Sequence, residues 1–334
     1  MDAMSVGRVA DRYCLNPGRP RQTWHVVIET DEKLPFKPGD SVAIWPKNHP
    51  EQVHALLDYF GIAEDTSLAH GKEMVPAGEL FSERIEINRG PKSFEGYDLP
   101  TFLRTHYPKG LPIEEFQGMP LRPRLYSIAS GSSFDKKELL VAQAQYECEH
   151  GMKQGVCSYY LTERAPIGKF DFSVSMHSPR KFCFPSSMPL IMIGAGTGMA
   201  PFRSFMQEVE IGSISCPKAW FFFGEQQEEY DYFYRDFWES LKERGRLRLD
   251  LAFSRDQATK IYVQHRIWEQ KKELWQWIID GATIMVCGNA QKMAKDVDSI
   301  LARIAMQEGK MDESTALSWL RSLHHENRYM RDIY

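Results

Sequence analysis

The first half of the chain carries short runs rich in β-branched and apolar residues: Thr23 to Thr30, Asp40 to Trp45, Leu125 to Ala129, Glu138 to Glu147 and Lys169 to Ser175. Such runs predict strands of an antiparallel barrel or sandwich. The interval between the second and third runs, about 80 residues, is too long for a loop. It holds one clear helical stretch, roughly Pro50 to Phe60, with Pro50 suited to the first turn and Gly61 to the stop. A helical insertion over about 48–118 is therefore expected inside the β module.

From Pro189 the pattern changes. Apolar runs Leu190–Ile193, Ala219–Phe223, Arg248–Phe253 and Thr283–Cys287 alternate with helical stretches near 200–210, 230–244, 263–279 and 290–308. That alternation predicts a parallel sheet covered by helices on both faces. A further helix near 313–323 precedes a short terminal strand, Arg328 to Ile333. The proline- and serine-containing stretch Met176 to Met188 is the expected boundary, giving modules over 1–180 and 186–334.

A chain of 334 residues suits two such modules, each with its own core. With 43% hydrophobic and 26% charged residues and a net charge of −4, it has no electrostatic footprint for nucleic acid. The longest apolar stretch, Met188 to Phe202, is broken by Gly194, Gly196, Gly198 and Pro201, and the amino terminus lacks a signal pattern. A cytoplasmic protein without a membrane span is the expectation. The six cysteines include no Cys-x-x-Cys pair, and the adjacent His324 and His325 would point apart on a helix, so neither disulfide nor metal site is expected.

Four segments carry candidate chemistry. Pro189 to Phe202 reads as a buried strand, a glycine turn through Gly194, Gly196, Thr197 and Gly198, and a helix start. Its glycines allow close backbone approach, and its free N–H groups suit a pyrophosphate. The spacing is Gly-x-Gly-x-Gly and not the dinucleotide fingerprint, and a turn without a ligand would look the same. Ser254-Arg255-Asp256-Gln257 and Lys260-Ile261-Tyr262-Val263-Gln264 follow the third parallel strand, where ligands of such sheets bind. Ser254, Arg255 and Lys260 could hold a phosphate dianion and Tyr262 could stack on an adenine, the alternative being a solvated turn. In the β module, Arg124-Leu125-Tyr126-Ser127 offers a charged fork, a ring and a hydroxyl, or else is a plain half-buried strand. Gly155-Val156-Cys157-Ser158 is an anion-binding helix start or only a capped one.

These segments, with Val286-Cys287-Gly288 and Arg331-Asp332-Ile333-Tyr334, share the order and spacing of the ferredoxin–NADP reductase superfamily. From about Val9 to Tyr334 the chain resembles the FAD- and NADP-binding portion of its diflavin reductases, the final Arg328 to Tyr334 being most similar to the sulfite-reducing branch. The resemblance implies an antiparallel β-barrel FAD-binding domain with a helical insertion, then a doubly wound α/β parallel-sheet NADP-binding domain. By the same resemblance Arg124 holds FAD phosphate, Tyr126 packs on the isoalloxazine beside Leu125, and Ser127 donates toward flavin N5. Ala142, Gln143 and Ala144 run beside the FAD, and Gly155 to Ser158 cover its pyrophosphate. Gly196, Thr197 and Gly198 line the NADP pyrophosphate turn, while Ser254, Arg255, Lys260, Ile261, Tyr262, Val263 and Gln264 match the 2′-phosphate and adenine contacts, with Asp296 a further one. Cys287 and Asp332 lie beside the nicotinamide, and Tyr334 covers the flavin face. For Cys287 a small buried apolar residue, and for Asp332 a surface acid paired with Arg331, are the alternatives.

The departures are three. No counterpart of the family's FMN domain is found, so an FMN carrier is expected to be a separate protein. The insertion is shorter than the family's connecting domain, and Asn289 replaces a common Asp after Cys287-Gly288. The implied activity is hydride transfer from NADPH to FAD, then single electrons to a separate FMN-, iron–sulfur- or siroheme-containing protein, with sulfite reduction as one setting. The alternatives are a ferredoxin– or flavodoxin–NADP reductase without a link to sulfite, and a non-catalytic FAD- and NADP-binding subunit.

Overall fold

The computed structural model describes residues 4–88, 97–134, 136–148, 151–288 and 293–334. Asn289 lies outside the described residues. The amino-terminal half is a six-stranded antiparallel sheet of β1 (Ser5–Cys14), β2 (Thr23–Thr30), β3 (Ser41–Trp45), β6 (Arg124–Ser127), β7 (Lys137–Ala142) and β10 (Phe172–His177). In the order β6-β3-β10-β1-β2-β7 it curls until a bridge between Ile128 and Leu139 joins its two edges. Val9, Val26, Ile28, Val42, Ile44 and Val174 point inward and are fully buried.

Strand β1 escaped the sequence reading because Arg8, Asp11 and Arg12 interrupt its apolar positions. Its outward charges are all engaged locally or across the sheet. Arg8 pairs with Glu29 at 2.6 Å, and the Arg12 guanidinium donates to the carbonyls of Leu161, Glu163 and Ala165. Those carbonyls end the helical run Val156–Arg164, so Arg12 acts as its carboxyl-terminal cap.

The expected long strand Glu138 to Glu147 is two. Gln143 leaves the sheet to send its amide to Thr162 and Glu163, at 2.9 and 2.8 Å, and the chain resumes as the hairpin of β8 (Gln145–Cys148) and β9 (Gly151–Gln154). The insertion carries the expected helix Pro50–Phe60, stopped by Gly61 in the left-handed conformation at φ 63°. It adds a hairpin, β4 (Ser67–His70) with β5 (Glu73–Pro76), and the helix Leu99–His106 around a core of Val53, Leu56, Leu57, Phe81 and Phe102.

The second half is a parallel sheet of β11 (Leu190–Ala195), β12 (Ala219–Glu225), β13 (Leu247–Phe253), β14 (Thr283–Gly288) and β15 (Tyr329–Ile333), ordered β13-β12-β11-β14-β15. Read by rank the order is 3-2-1-4-5, the mononucleotide-binding arrangement, with the strands' carboxyl ends facing one way. Two expected helices are broken: near 230–244 by Tyr234 at φ 55°, and near 263–279 at Gln270, between Val263–Glu269 and Lys271–Ile279. Tyr234 turns aside because its hydroxyl bonds His25 Nδ1 at 2.7 Å and its ring lies under the Arg203 guanidinium. No helix among the described residues is long and apolar enough to cross a membrane.

The two halves share a seam. Ala129 and Leu140 of the barrel pack into the cluster of Met199, Phe202 and Phe205. Around it, helix Ala200–Glu210 grips the loop after β6: Arg203 donates to Ala129 O at 2.8 Å and pairs with Glu138, Ser204 Oγ donates to Ser130 O at 2.6 Å, and Glu208 accepts from Ser133 N at 2.8 Å. Removing the largely buried Arg203 side chain leaves Glu138 without its partner and the Ala129 carbonyl without its donor. Arg203→Ala should therefore lower the unfolding free energy by about 2–4 kcal/mol. Denaturant melts measure this, and a loss below about 1 kcal/mol would show that the seam does not depend on the pair.

Candidate active site

Beyond the carboxyl end of β11 the chain turns at Gly196, whose φ of +57° is left-handed, and enters helix Ala200–Glu210 through a single 3₁₀ turn. Gly198 tolerates no side chain, since a Cβ there would overlap the carbonyl of Cys287. This turn is one wall of a cleft of about 590 Å³. The opposite rim is Ser254, Arg255, Lys260, Tyr262 and Gln264, and Asp296 reaches in from helix Met293–Gln307, accepting from Gln264 Nε2 at 3.0 Å. Arg255, Lys260 and Arg21, against Glu225 and Asp296, leave the cleft lining with a positive excess. Cations, a hydroxyl and a side-chain-free turn fit a phosphate-bearing nucleotide.

Sequence-distant residues converge at the seam. Cys287 and Asp332 are register partners across β14 and β15. Asp332 Oδ2 accepts from Ser127 Oγ at 3.3 Å, reaching across from the barrel strand β6, and lies 4.0 Å from the Cys287 sulfur. Arg331 turns the other way, to Asp298 at 2.6 Å, so Asp332 is not the surface partner of Arg331. Tyr334 follows and shares a 2.7 Å hydrogen bond between its hydroxyl and Thr197 Oγ1. Burial raises the Asp332 carboxyl above its ordinary range, with Ser127 and His177 opposing. Burial also pushes the Cys287 thiol well up, and the nearby Asp332 adds to this.

On the barrel side the arrangement is more closed. Tyr126 is hydrogen-bonded to the buried Cys157, and the Arg124 fork pairs with Glu86 of the insertion at 3.0 Å. Ser158 Oγ accepts from Ala144 N at 3.1 Å, tying the helix start to the strand end, and a Cβ on Gly155 would come within 2.8 Å of that hydroxyl. The Gln143 amide is held by Thr162 and Glu163, away from this surface. Gly155, Val156 and Arg164 line a second cleft, of about 300 Å³, where the buried Arg164 Nε has no partner. An orphaned guanidinium N–H beside a helix start fits a phosphate-bearing cofactor. Leu125 and Tyr334, 54% and 60% exposed, offer the apolar surface that a flat ring system would cover.

Arg21, Glu225, Arg164 and Glu86 went unnoticed in the sequence. Arg21 sits in the loop between β1 and β2 and Glu225 ends β12, so each enters its cleft only through tertiary packing. Glu225 alone left a trace, as an acid ending the second parallel strand.

A curled antiparallel sheet joined along a seam to a parallel 3-2-1-4-5 sheet, with the Arg164 cleft in the first half and the glycine-turn cleft in the second, defines a two-domain ferredoxin-reductase-like fold. Residues 192–299 match the oxidoreductase NAD-binding domain family. The chain is similar to the sulfite reductase (NADPH) flavoprotein alpha-component of Neisseria meningitidis serogroup A, at 35% identity over 93% of this chain and 57% of that protein. The same protein of Zymomonas mobilis is 35% identical over the same shares, and that of Yersinia pestis 34% identical over 93% and 56%. The chain thus spans somewhat more than half the length of the curated relatives it matches.

A carboxyl whose folded pKa lies above its unfolded value costs stability once pH passes the unfolded value, near 3.9, and the cost grows until the folded value is passed. Asp332→Asn keeps an acceptor for Ser127 and removes that cost. Its melting temperature should exceed that of the wild type at pH 7, with the gap closing as pH falls toward 4. A gap independent of pH would mean that Asp332 carries no such penalty.

Proposed function

We propose that this chain is an NADPH-dependent flavoprotein reductase, holding FAD on the barrel side and NADP(H) in the parallel-sheet cleft. Electrons would then pass to an FMN-, iron–sulfur- or siroheme-containing protein, with sulfite as the setting suggested by the names of its relatives. A cytoplasmic location and a boundary between about 180 and 186 belong to the same reading. The observation that carries it is the meeting of Ser127, Cys287 and Asp332 on the seam between the two halves.

Bound there, FAD supplies the exchange between the hydride of NADPH and single electrons. The chain supplies position and protonation state. In this reading Arg255 and Lys260 hold the 2′-phosphate with Ser254, Tyr262 packs against the adenine, and Gly196 to Gly198 admit the pyrophosphate to backbone N–H groups. Ile261, Val263 and Gln264 shape that rim. Arg164, Gly155 to Ser158 and Arg124, the last in competition with Glu86, hold the flavin's phosphates, while Leu125 and Tyr126 meet its ring. Ala142 and Ala144 provide the strand edge beside it. Ser127 Oγ offers a hydroxyl proton at the seam, shared with Asp332 Oδ2. The buried Cys287 thiol stays protonated and adds no charge beside it. Thr197 holds Tyr334 by its hydroxyl, so the ring is removable from the seam at the cost of one hydrogen bond.

The purified protein should release FAD on acid treatment and be bleached by NADPH under anaerobic conditions. A charge-assisted hydrogen bond contributes about 1.5–3 kcal/mol, so Arg255→Ala or Lys260→Ala should cost roughly ten- to a hundredfold in kcat/KM for NADPH. Flavin reduction by NADH should barely change. Equal losses with both nucleotides would assign these residues to the fold instead.

A further inference from the structure

The parallel-sheet cleft holds an acid that the NADPH reading leaves unused. Glu225 ends β12, half-buried, and its Oε1 lies 3.3 Å from where a Cβ on Gly196 would stand, which is against the pyrophosphate turn itself. Its own backbone is fixed, since its carbonyl accepts from Ser254 N at 2.9 Å. A carboxylate and a pyrophosphate at one turn repel each other in a region of low dielectric.

The charged surroundings of Glu225 come from four elements. Arg21 faces it from the loop between β1 and β2, Asp231 from the short helix after β12, Arg255 from the segment after β13, and Tyr334 closes the cleft after β15. Asp231 is 4% exposed and fixed as a neighbour, because its two oxygens accept from Asn16 Nδ2 at 2.9 Å and Gln227 N at 3.0 Å. Lys260 and Asp296 stand farther along the same rim. Burial, then Asp231, raise the Glu225 carboxyl to about 7, against the opposing pull of Arg21, the Gln226 backbone and Arg255.

Resting on the assignment of this cleft to NADP(H), we propose that Glu225 is the proton-linked group of the nucleotide site: it receives the pyrophosphate as the neutral acid, so that binding takes up a proton from solution. As an ionised group it repels the nucleotide. As a neutral acid it turns an O–H donor toward the turn where phosphate oxygens would lie. Affinity for the nucleotide is then highest below neutral pH and falls as pH rises through 7. The 2′-phosphate, with a second pKa of about 6, gains charge over the same range and acts in the opposite sense. That term is common to every variant that leaves the phosphate rim intact.

The test is calorimetric titration of the flavin-loaded protein with NADP⁺, in buffers of different ionisation enthalpy between pH 6 and 8.5, for wild type and Glu225→Gln. Wild type should take up most of one proton per nucleotide near pH 8, and the Gln variant should lack that uptake. By linkage, the Gln variant should bind within about twofold of wild type at pH 6 and about twenty- to thirtyfold more tightly at pH 8.5. Glu225→Ala, whose expectation is the same uptake loss, serves if the Gln protein folds poorly. Equal proton uptake and equal pH slopes in wild type and variants would overturn the inference. Arg255→Ala keeps the two assignments apart. If it weakens NADP⁺ binding while Glu225→Gln leaves the uptake unchanged, the cleft assignment stands and this inference alone fails. If Arg255→Ala has no effect, the cleft assignment fails.

Discussion

The arrangement depends on the grip of helix Ala200–Glu210 on the barrel loop that follows Ser127. Arg203, Ser204 and Glu208 hold the backbone of Ala129, Ser130 and Ser133. The same helix begins at the glycine turn that walls the parallel-sheet cleft. One rigid rod therefore sets the barrel edge and the glycine turn at a fixed separation. The 3.3 Å contact between Ser127 and Asp332 follows from it, since neither strand touches the other otherwise through sheet hydrogen bonds. The apolar packing of Ala129 and Leu140 against Met199 and Phe202 excludes water from this junction and strengthens each polar contact within it.

Burial has a second consequence at the seam. Asp332, Cys287 and Glu225 are all desolvated, and each is pushed toward its neutral form. The cations are placed differently. Arg255 and Lys260 stand exposed on the outer rim of the cleft. Exposed cations at the rim and desolvated groups toward the seam thus occupy different parts of the cleft.

The barrel side holds its polar groups in internal contacts. Glu86 reaches from the insertion to Arg124, and Asn88 donates to Tyr146 and to the carbonyl of Gln154. The insertion is thus bonded to Arg124, Tyr146 and Gln154 of the barrel half as well as packed on its own core.

Local pattern determined the element types. Strand β2 and helix Pro50–Phe60 fall where composition, Pro50 and Gly61 place them, and the alternation after Pro189 gives the parallel sheet with its boundaries within a residue or two. The glycine turn, the Arg255 and Lys260 rim and the Arg124 strand were legible because each is a contiguous motif. Strand β1 was not, because its outward Arg8, Asp11 and Arg12 mask the apolar alternation until partners across the sheet are known. The breaks at Gln143 and Tyr234 were hidden for the same reason, since Thr162, Glu163 and His25 lie far away in sequence. Only the tertiary structure brought Arg21 and Glu225 to the parallel-sheet cleft, paired Arg124 with Glu86 and set Asp332 against Ser127. A sequence motif fixes chemistry along one segment, whereas desolvation and charge pairing depend on which segments the packed seam brings within a few ångströms.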